Sequence, residues 1–189
     1  MARFISKIKR LFERSINEFE KTISDVSELR FSNTDFDALT EKTYTTIVDA
    51  FDGLNFCEIS DDSGTDSLIG ITGATKIMHL KHPDLFIIWD GYIRGVKTKK
   101  YYDFVDPRVI KAGWKRKKYK ETGEGYISFL RDMKEAFSNI IVDYEKLKLV
   151  KPVTKAIDEF NYMGITKPIM AHEKKLNEEK RKQKREKTD

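Results

Sequence analysis

Residues 68–94 read LIGITGATKIMHLKHPDLFIIWDGYIR, and the fold turns on what that stretch does. Gly70 and Gly73 bracket Ile71 and Thr72 inside an apolar run. Glycine accepts positive φ without steric cost, so the spacing predicts a tight turn over 70–73. A helix follows from Ala74 to Leu80, offering Ile77, Met78 and Leu80 to a core. His82 ends it, because the residue before a proline is biased away from the helical region. Residues 86–89 are strand-like in propensity but too isolated to imply a sheet. The apolar run closes on Asp90, and a carboxylate there has two meanings. It is a cap or an i,i+4 partner of Arg94, or it is buried for a chemical reason, since leaving water unpaired is costly.

On the N-terminal side, Phe4, Ile8, Leu11, Phe12, Ile16, Phe19 and Ile23 recur at helical spacing, which predicts an amphipathic helix over 3–24. A second helix is expected from Asn33 or Thr34, both good caps, to Phe51, with Asp52-Gly53 as a turn. The polar loop SDDSGTD over 60–66 lacks the spacing and closing glutamate of a calcium loop. On the C-terminal side, a basic and aromatic connection leads to a long helix expected over 125–148. Pro152 breaks it before a short helix over 153–163. From Glu173, EKKLNEEKRKQKREKTD holds eight basic residues and one aliphatic residue. The expected architecture is an all-α, compact helical domain over 1–170, with a basic helical or disordered tail over 171–189.

Charge is distributed unevenly. Residues 1–66 hold 8 basic and 14 acidic side chains, whereas 94–120 hold 11 basic residues against Asp103 and Asp106. Such a field favours a polyanion, nucleic acid first among them. Arg94, Lys97, Lys99, Lys100, Lys115, Arg116, Lys117 and Lys118 are interleaved with Tyr101, Tyr102, Phe104, Trp114 and Tyr119, the mixture of a surface that neutralises phosphates and stacks bases. Trp89 and Tyr92 join the stacking candidates. No apolar stretch approaches the roughly 20 residues of a membrane span, and the basic N-terminus lacks the features of a signal peptide. The lone Cys57 excludes an internal disulfide and suits a reducing cytoplasm. His79, His82 and His172 show no metal-ligand pattern, and neither a metal nor another cofactor is expected. Homo-oligomerisation is not indicated.

With its glycines, lysine and trailing aspartate, the stretch over about 66–94 resembles the helix-hairpin-helix motif of the DNA base-excision glycosylase superfamily. That family's hairpin reads Leu-Pro-Gly-apolar-Gly, followed after a helix and loop by a functional aspartate. Leu68, Gly70 and Ile71 match it, Ile69 replaces the proline and Thr72 the second glycine, and Asp90 falls at the aspartate. The family's Schiff-base lysine position is Ala74. Lys76 lies two residues on, about 200° around a helix, so it serves as nucleophile only with a register shift. The resemblance therefore implies a monofunctional, aspartate-dependent DNA glycosylase removing a damaged or modified base. Asp90 is its catalytic carboxylate. Gly70, Thr72, Gly73, Thr75 and Lys76 hold phosphate, because turn amides backed by a helix N-terminus favour anions.

The expected function is thus nucleic-acid binding, of DNA first. One alternative is a non-catalytic DNA- or single-strand-binding protein using the same hairpin and basic face. Another is a helical partner-binding protein whose charge only solubilises it.

Overall fold

A computed structural model describes residues 2–60, 66–95 and 101–186, with side chains over 13–59, 67–95 and 101–185. Among the described residues the fold is all-α apart from one two-stranded hairpin. Helix α1 spans Ala2–Ile23, as its apolar spacing predicts. Phe19 and Ile23 of that stripe are buried, while the side chains of Phe4, Ile8, Leu11 and Phe12 lie outside the described residues.

Helix α2 spans Glu41–Asn55 rather than starting near Asn33. Thr40 is the cap, its hydroxyl accepting the Thr43 amide at 3.2 Å. The Thr34 hydroxyl is spent on Arg30 O at 2.7 Å, which fixes a turn instead. The expected turn at Asp52-Gly53 is helical too. Asp52 reaches across the fold and accepts the Gly123 amide at 2.8 Å, capping the next long helix from outside.

Strands β1 (Glu58–Ser60) and β2 (Asp66–Leu68) pair antiparallel, with Glu58 opposite Leu68 and Ser60 opposite Asp66. Of the loop expected over 60–66, Ser60 and Asp66 belong to the strands instead, and 61–65 lies outside the described residues. Helix α3 spans Gly70–Lys81, so 70–73 is the first turn of a helix and not a turn between helices. The element before it is a strand. The hairpin here is a β-hairpin, which corrects the helix-hairpin-helix expectation. Gly70 supplies the bend from strand into helix with φ +69°. His82 ends α3 as expected, its ring Nε2 lying 2.9 Å from Val26 O.

Residues 86–89 cross the core as an extended segment with no neighbouring strand. Their backbone groups are met by side chains instead. His79 Nδ1 donates to Phe86 O at 2.7 Å and the Tyr126 hydroxyl to Ile87 O at 2.7 Å. Asp158 Oδ1 accepts from Ile88 N at 2.9 Å, and the Thr75 hydroxyl from Trp89 N at 3.0 Å. Four polar residues from three helices thus do the work of a sheet.

Helix α4 spans Pro107–Lys111. The expected helix over 125–148 is two, α5 (Gly123–Ala136) and α6 (Ser138–Lys146), broken where Phe137 takes φ −103° and ψ 11°. That break leaves Phe137 and Ile141 buried while Ile140 and Val142 are exposed. Helix α7 (Val153–Asn161) follows Pro152 and runs through a π turn (Tyr162–Thr166) into α8 (Lys167–Glu186). Over 171–186 the basic tail is a continuation of α8, its charged end exposed. The aromatic centre of the core is Phe51 on Tyr126, centroids 5.0 Å apart, and Trp89 on Phe129 at 5.5 Å.

Candidate functional site

A cavity of about 770 Å³ opens between the first half of α3, residues 88–93, and α7 with its π turn. Helical periodicity assembles its walls. Thr72 and Lys76, four apart, share a face of α3, and Lys155, Asp158 and Glu159 follow i, i+3, i+4 on α7, with Tyr162 at i+7 opening the π turn. The π turn inserts a residue into that register, a distortion that recurs at functional sites, and adds Met163 and Thr166.

Asp90 stands on the wall between them. Its Oδ1 accepts the amides of Tyr92 and Ile93, both at 2.7 Å, and its Oδ2 accepts the Thr166 hydroxyl at 2.9 Å. Asp90 therefore closes a turn over 91–95 rather than capping a helix, and the ion pair with Arg94 is not formed. Arg94 bonds Glu121 at 2.6 Å and lies over the Trp89 ring. Closing that turn and catalysis are compatible, because Asp90 also lines the cavity.

Asp158 is the second carboxyl there, its side chain 6% exposed. Its Oδ2 lies 3.3 Å from His79 Nδ1, yet that nitrogen gives its proton to Phe86 O at the shorter 2.7 Å. Oδ2 accordingly has no hydrogen-bond partner among the described residues. Burial pushes the Asp158 carboxyl up to about 8, with the Asp90 charge adding and the Ile88 amide and Lys155 opposing. Burial holds His79 below the usual imidazole range. At neutral pH the pair is an uncharged acid beside an uncharged imidazole. Two carboxyl groups thus border one cavity, Asp90 held by three donors and Asp158 with its Oδ2 covered by the protein.

Other expected site residues are scattered. Lys76 faces the cavity, whereas Ala74 is fully buried in the core, as the 200° separation requires. Thr75 is buried and bonded to Ile71 O and Trp89 N, so it does not hold phosphate. Gly73 packs on Ile69, whose Cγ2 lies 2.6 Å from where a Cβ would stand. Trp89 and Trp114 are core residues, 0% and 1% exposed, and neither offers a face to a base. Tyr92 lines the cavity, its hydroxyl donating to Glu173 at 2.7 Å, and burial with that carboxylate drives it up to about 12. Tyr101 and Phe104 surround His172 and Tyr102 stacks on Trp114, while the Tyr119 hydroxyl donates to Asp132.

Lys115, Arg116 and Lys118 are exposed without an ion pair among the described residues, while Lys117 pairs with Asp132 at 2.8 Å. None of the four lines the cavity. Lys97, Lys99 and Lys100 lie outside the described residues. His79 and His82 bond carbonyls, and among the described residues no group of three or more metal-ligating side chains converges. No described helix is long and apolar enough to cross a membrane.

Asp158, Lys155 and Thr166 escape a reading of the sequence centred on the glycine stretch. The signal that could have found the first two is the polar stripe Lys155, Asp158, Glu159 on a helix whose opposite face is Val153, Ile157 and Phe160. The π turn has no such signal. The chain matches no family model, no curated protein and no solved structure.

Proposed function

We propose that the cavity receives a base swung out of a nucleic acid, DNA first, and that the chain hydrolyses its N-glycosidic bond. The observation that carries this reading is the placement of Asp90 and Asp158 in one cavity. Such hydrolysis builds positive charge on the sugar, which a carboxylate stabilises, while the same group orients the attacking water. Asp90 is the carboxylate in that role. A volume of about 770 Å³ suits a nucleoside-sized ligand, within the usual range of small-molecule sites. Tyr92, Tyr162 and Ile88 supply apolar walls for a planar ring, and Lys76 at the rim suits a neighbouring phosphate. The resemblance of residues 68–94 to the base-excision glycosylases enters through Asp90. It does not rest on the glycine turn, which is helical here. The reducing compartment expected from the lone Cys57 belongs to the same reading.

A binding-only reading draws on a different observation, the free cations Lys115, Arg116 and Lys118 lying away from the cavity. One experiment separates the two. Wild type and Asp90→Asn are incubated at low salt with labelled duplexes carrying uracil, oxidised or alkylated bases. Half of each sample is run on a native gel and half is treated with alkali and sized. Alkali-labile breaks from wild type alone, with equal binding by both proteins, support base removal. Binding without breaks on every duplex supports the binding-only reading, and no binding removes both.

A further inference from the structure

We propose that the cavity takes its ligand by a phosphate, held between Thr72 and Lys76 of α3 and Lys155 of α7, so that it recognises a nucleotide and not a bare base or nucleoside. The inference goes beyond bond cleavage and holds whether or not a base is removed. It rests on which charged groups of the cavity are already engaged by the protein.

Three carboxyl groups and two lysines line the space. Both oxygens of Asp90 are bonded, to the Tyr92 and Ile93 amides and the Thr166 hydroxyl. Glu159 is paired at 2.6 Å with Lys151, which does not line the cavity. Asp158 accepts the Ile88 amide through Oδ1, and its Oδ2 is covered. Lys76 and Lys155 differ from all three, since neither has an ion pair or hydrogen bond among the described residues. Lys76 is exposed. Lys155 is half-buried, and its ammonium is not among the covered atoms. Partial burial of a cation without a partner costs solvation, which a bound anion restores. The two unengaged charges of the cavity are thus both positive, and they stand on different walls.

Thr72 adds a neutral donor. It lies one turn before Lys76 on the same face, and its hydroxyl has no partner among the described residues. It is the third residue of α3, within the first turn, where the helix dipole favours negative charge. Donors reaching one space from two walls suit a group that carries several acceptor oxygens, and lysine binds phosphate well as a point charge. The rest of the lining is apolar or aromatic. Ile88, Tyr92, Tyr162 and Met163 offer rings and a polarisable sulfur to a planar base. A cavity of about 770 Å³ has room for the base, the sugar and the phosphate together.

That phosphate belongs either to a free mononucleotide or to the strand that carries a swung-out nucleotide, and the test has an arm for each. Calorimetry at low salt measures binding of the four deoxynucleoside 5′-monophosphates, their nucleosides and inorganic phosphate. Wild type, Lys76→Gln and Lys155→Gln are compared, with melting curves to check the fold. In the strand arm, affinity for a duplex with one mismatched nucleotide is compared with that for its fully paired counterpart. A free mononucleotide is expected to bind about tenfold or more tightly than its nucleoside, and each lysine variant to remove most of that difference without changing nucleoside affinity. Mononucleotides that fail to bind, with a preference for the mismatched duplex that both variants abolish, assign the phosphate to the strand. Equal affinity for nucleotide and nucleoside overturns the proposal, as does inorganic phosphate binding as tightly as the nucleotides. Lysine variants without effect in either arm overturn it too. Base release is scored separately on the same duplexes, and its absence removes the base-removal reading while the binding arms still decide this one.

Discussion

Asp158 Oδ1 accepts the Ile88 amide at 2.9 Å, tying α7 to the extended segment that ends in Asp90. One carboxyl group thus satisfies a half-buried backbone donor and forms part of the cavity wall. Removing the acceptor leaves the half-buried Ile88 amide without its protein partner, a loss of about 1–3 kcal/mol. Asp158→Ala is therefore expected to destabilise by that amount in urea unfolding, while Asp158→Asn stays within about 1 kcal/mol of wild type. Equal losses would mean that the hydrogen bond is not what holds the segment.

The same group sets a pH dependence with a definite sign. In the folded chain Asp158 titrates near 8, far above its ordinary 3.8, so between those values the folded state binds the extra proton. Its stabilising contribution is complete below the lower value and is lost as pH rises through the upper one. His79 acts in the opposite sense, because its folded value lies below the ordinary 6.5 and its contribution is lost as pH falls through that region. The clean window is pH 6.5 to 8. There wild-type stability is expected to fall with a slope approaching about 1.4 kcal/mol per pH unit, and Asp158→Asn to remove that slope. A wild-type curve flat across this window contradicts a protonated Asp158.

The neighbouring supports of the extended segment are testable in the same way. Tyr126→Phe removes the donor to Ile87 O, and Thr75→Val the acceptor for Trp89 N. Each is expected to cost about 1–3 kcal/mol, with the double variant departing from additivity because both act on one stretch of backbone. Strict additivity would show that the two contacts are energetically independent.

Much of this fold is legible in the sequence wherever apolar spacing is strong. The helix of residues 2–23, the stop at His82 and the start after Pro152 follow from local rules. Failures occur where a residue's partner is distant. Asp52 looks like a turn former but caps Gly123, 71 positions away, and Thr75 looks like a phosphate donor but serves Trp89. Trp114 sits among charged neighbours in sequence yet is buried, its indole nitrogen donating to Ile93 O at 3.1 Å, 21 positions earlier. Asp90 was legible as a candidate. Asp158 was not, since its meaning depends on a cavity wall contributed by residues about 70 positions earlier.

The π turn offers a steric test. A Cβ on Gly164 would collide with Val109 Cγ2 of α4, and the Gly164 carbonyl accepts the Asp106 amide at 2.7 Å. Gly164→Ala is expected to push the turn off α4 and cost about 1–3 kcal/mol. Because Thr166 in this turn bonds Asp90, the displacement should also change activity or ligand affinity at the cavity. Val109→Ala in the same chain makes room for the methyl group and should recover part of the loss. A Gly164→Ala protein of wild-type stability would show that α4 yields without strain.

The free cations give the last prediction. Lys115, Arg116 and Lys118 are exposed and lack ion-pair partners among the described residues, while Lys117 is held by Asp132 at 2.8 Å and lies 5.3 Å from the Tyr119 ring centroid. If the first three neutralise phosphates, each releases condensed counterions on binding, and affinity falls linearly with the logarithm of salt concentration. Replacing all three by alanine is expected to lower the magnitude of that slope by about 2–3 for duplex DNA, and to weaken binding similarly across sequences. Lys117→Ala should change the slope less, because its charge is already compensated in the free protein. Titrations of wild type and both variants across a salt series measure this directly. An unchanged slope in the triple variant would place the nucleic-acid surface elsewhere, with the exposed basic end of α8 the next segment to alter.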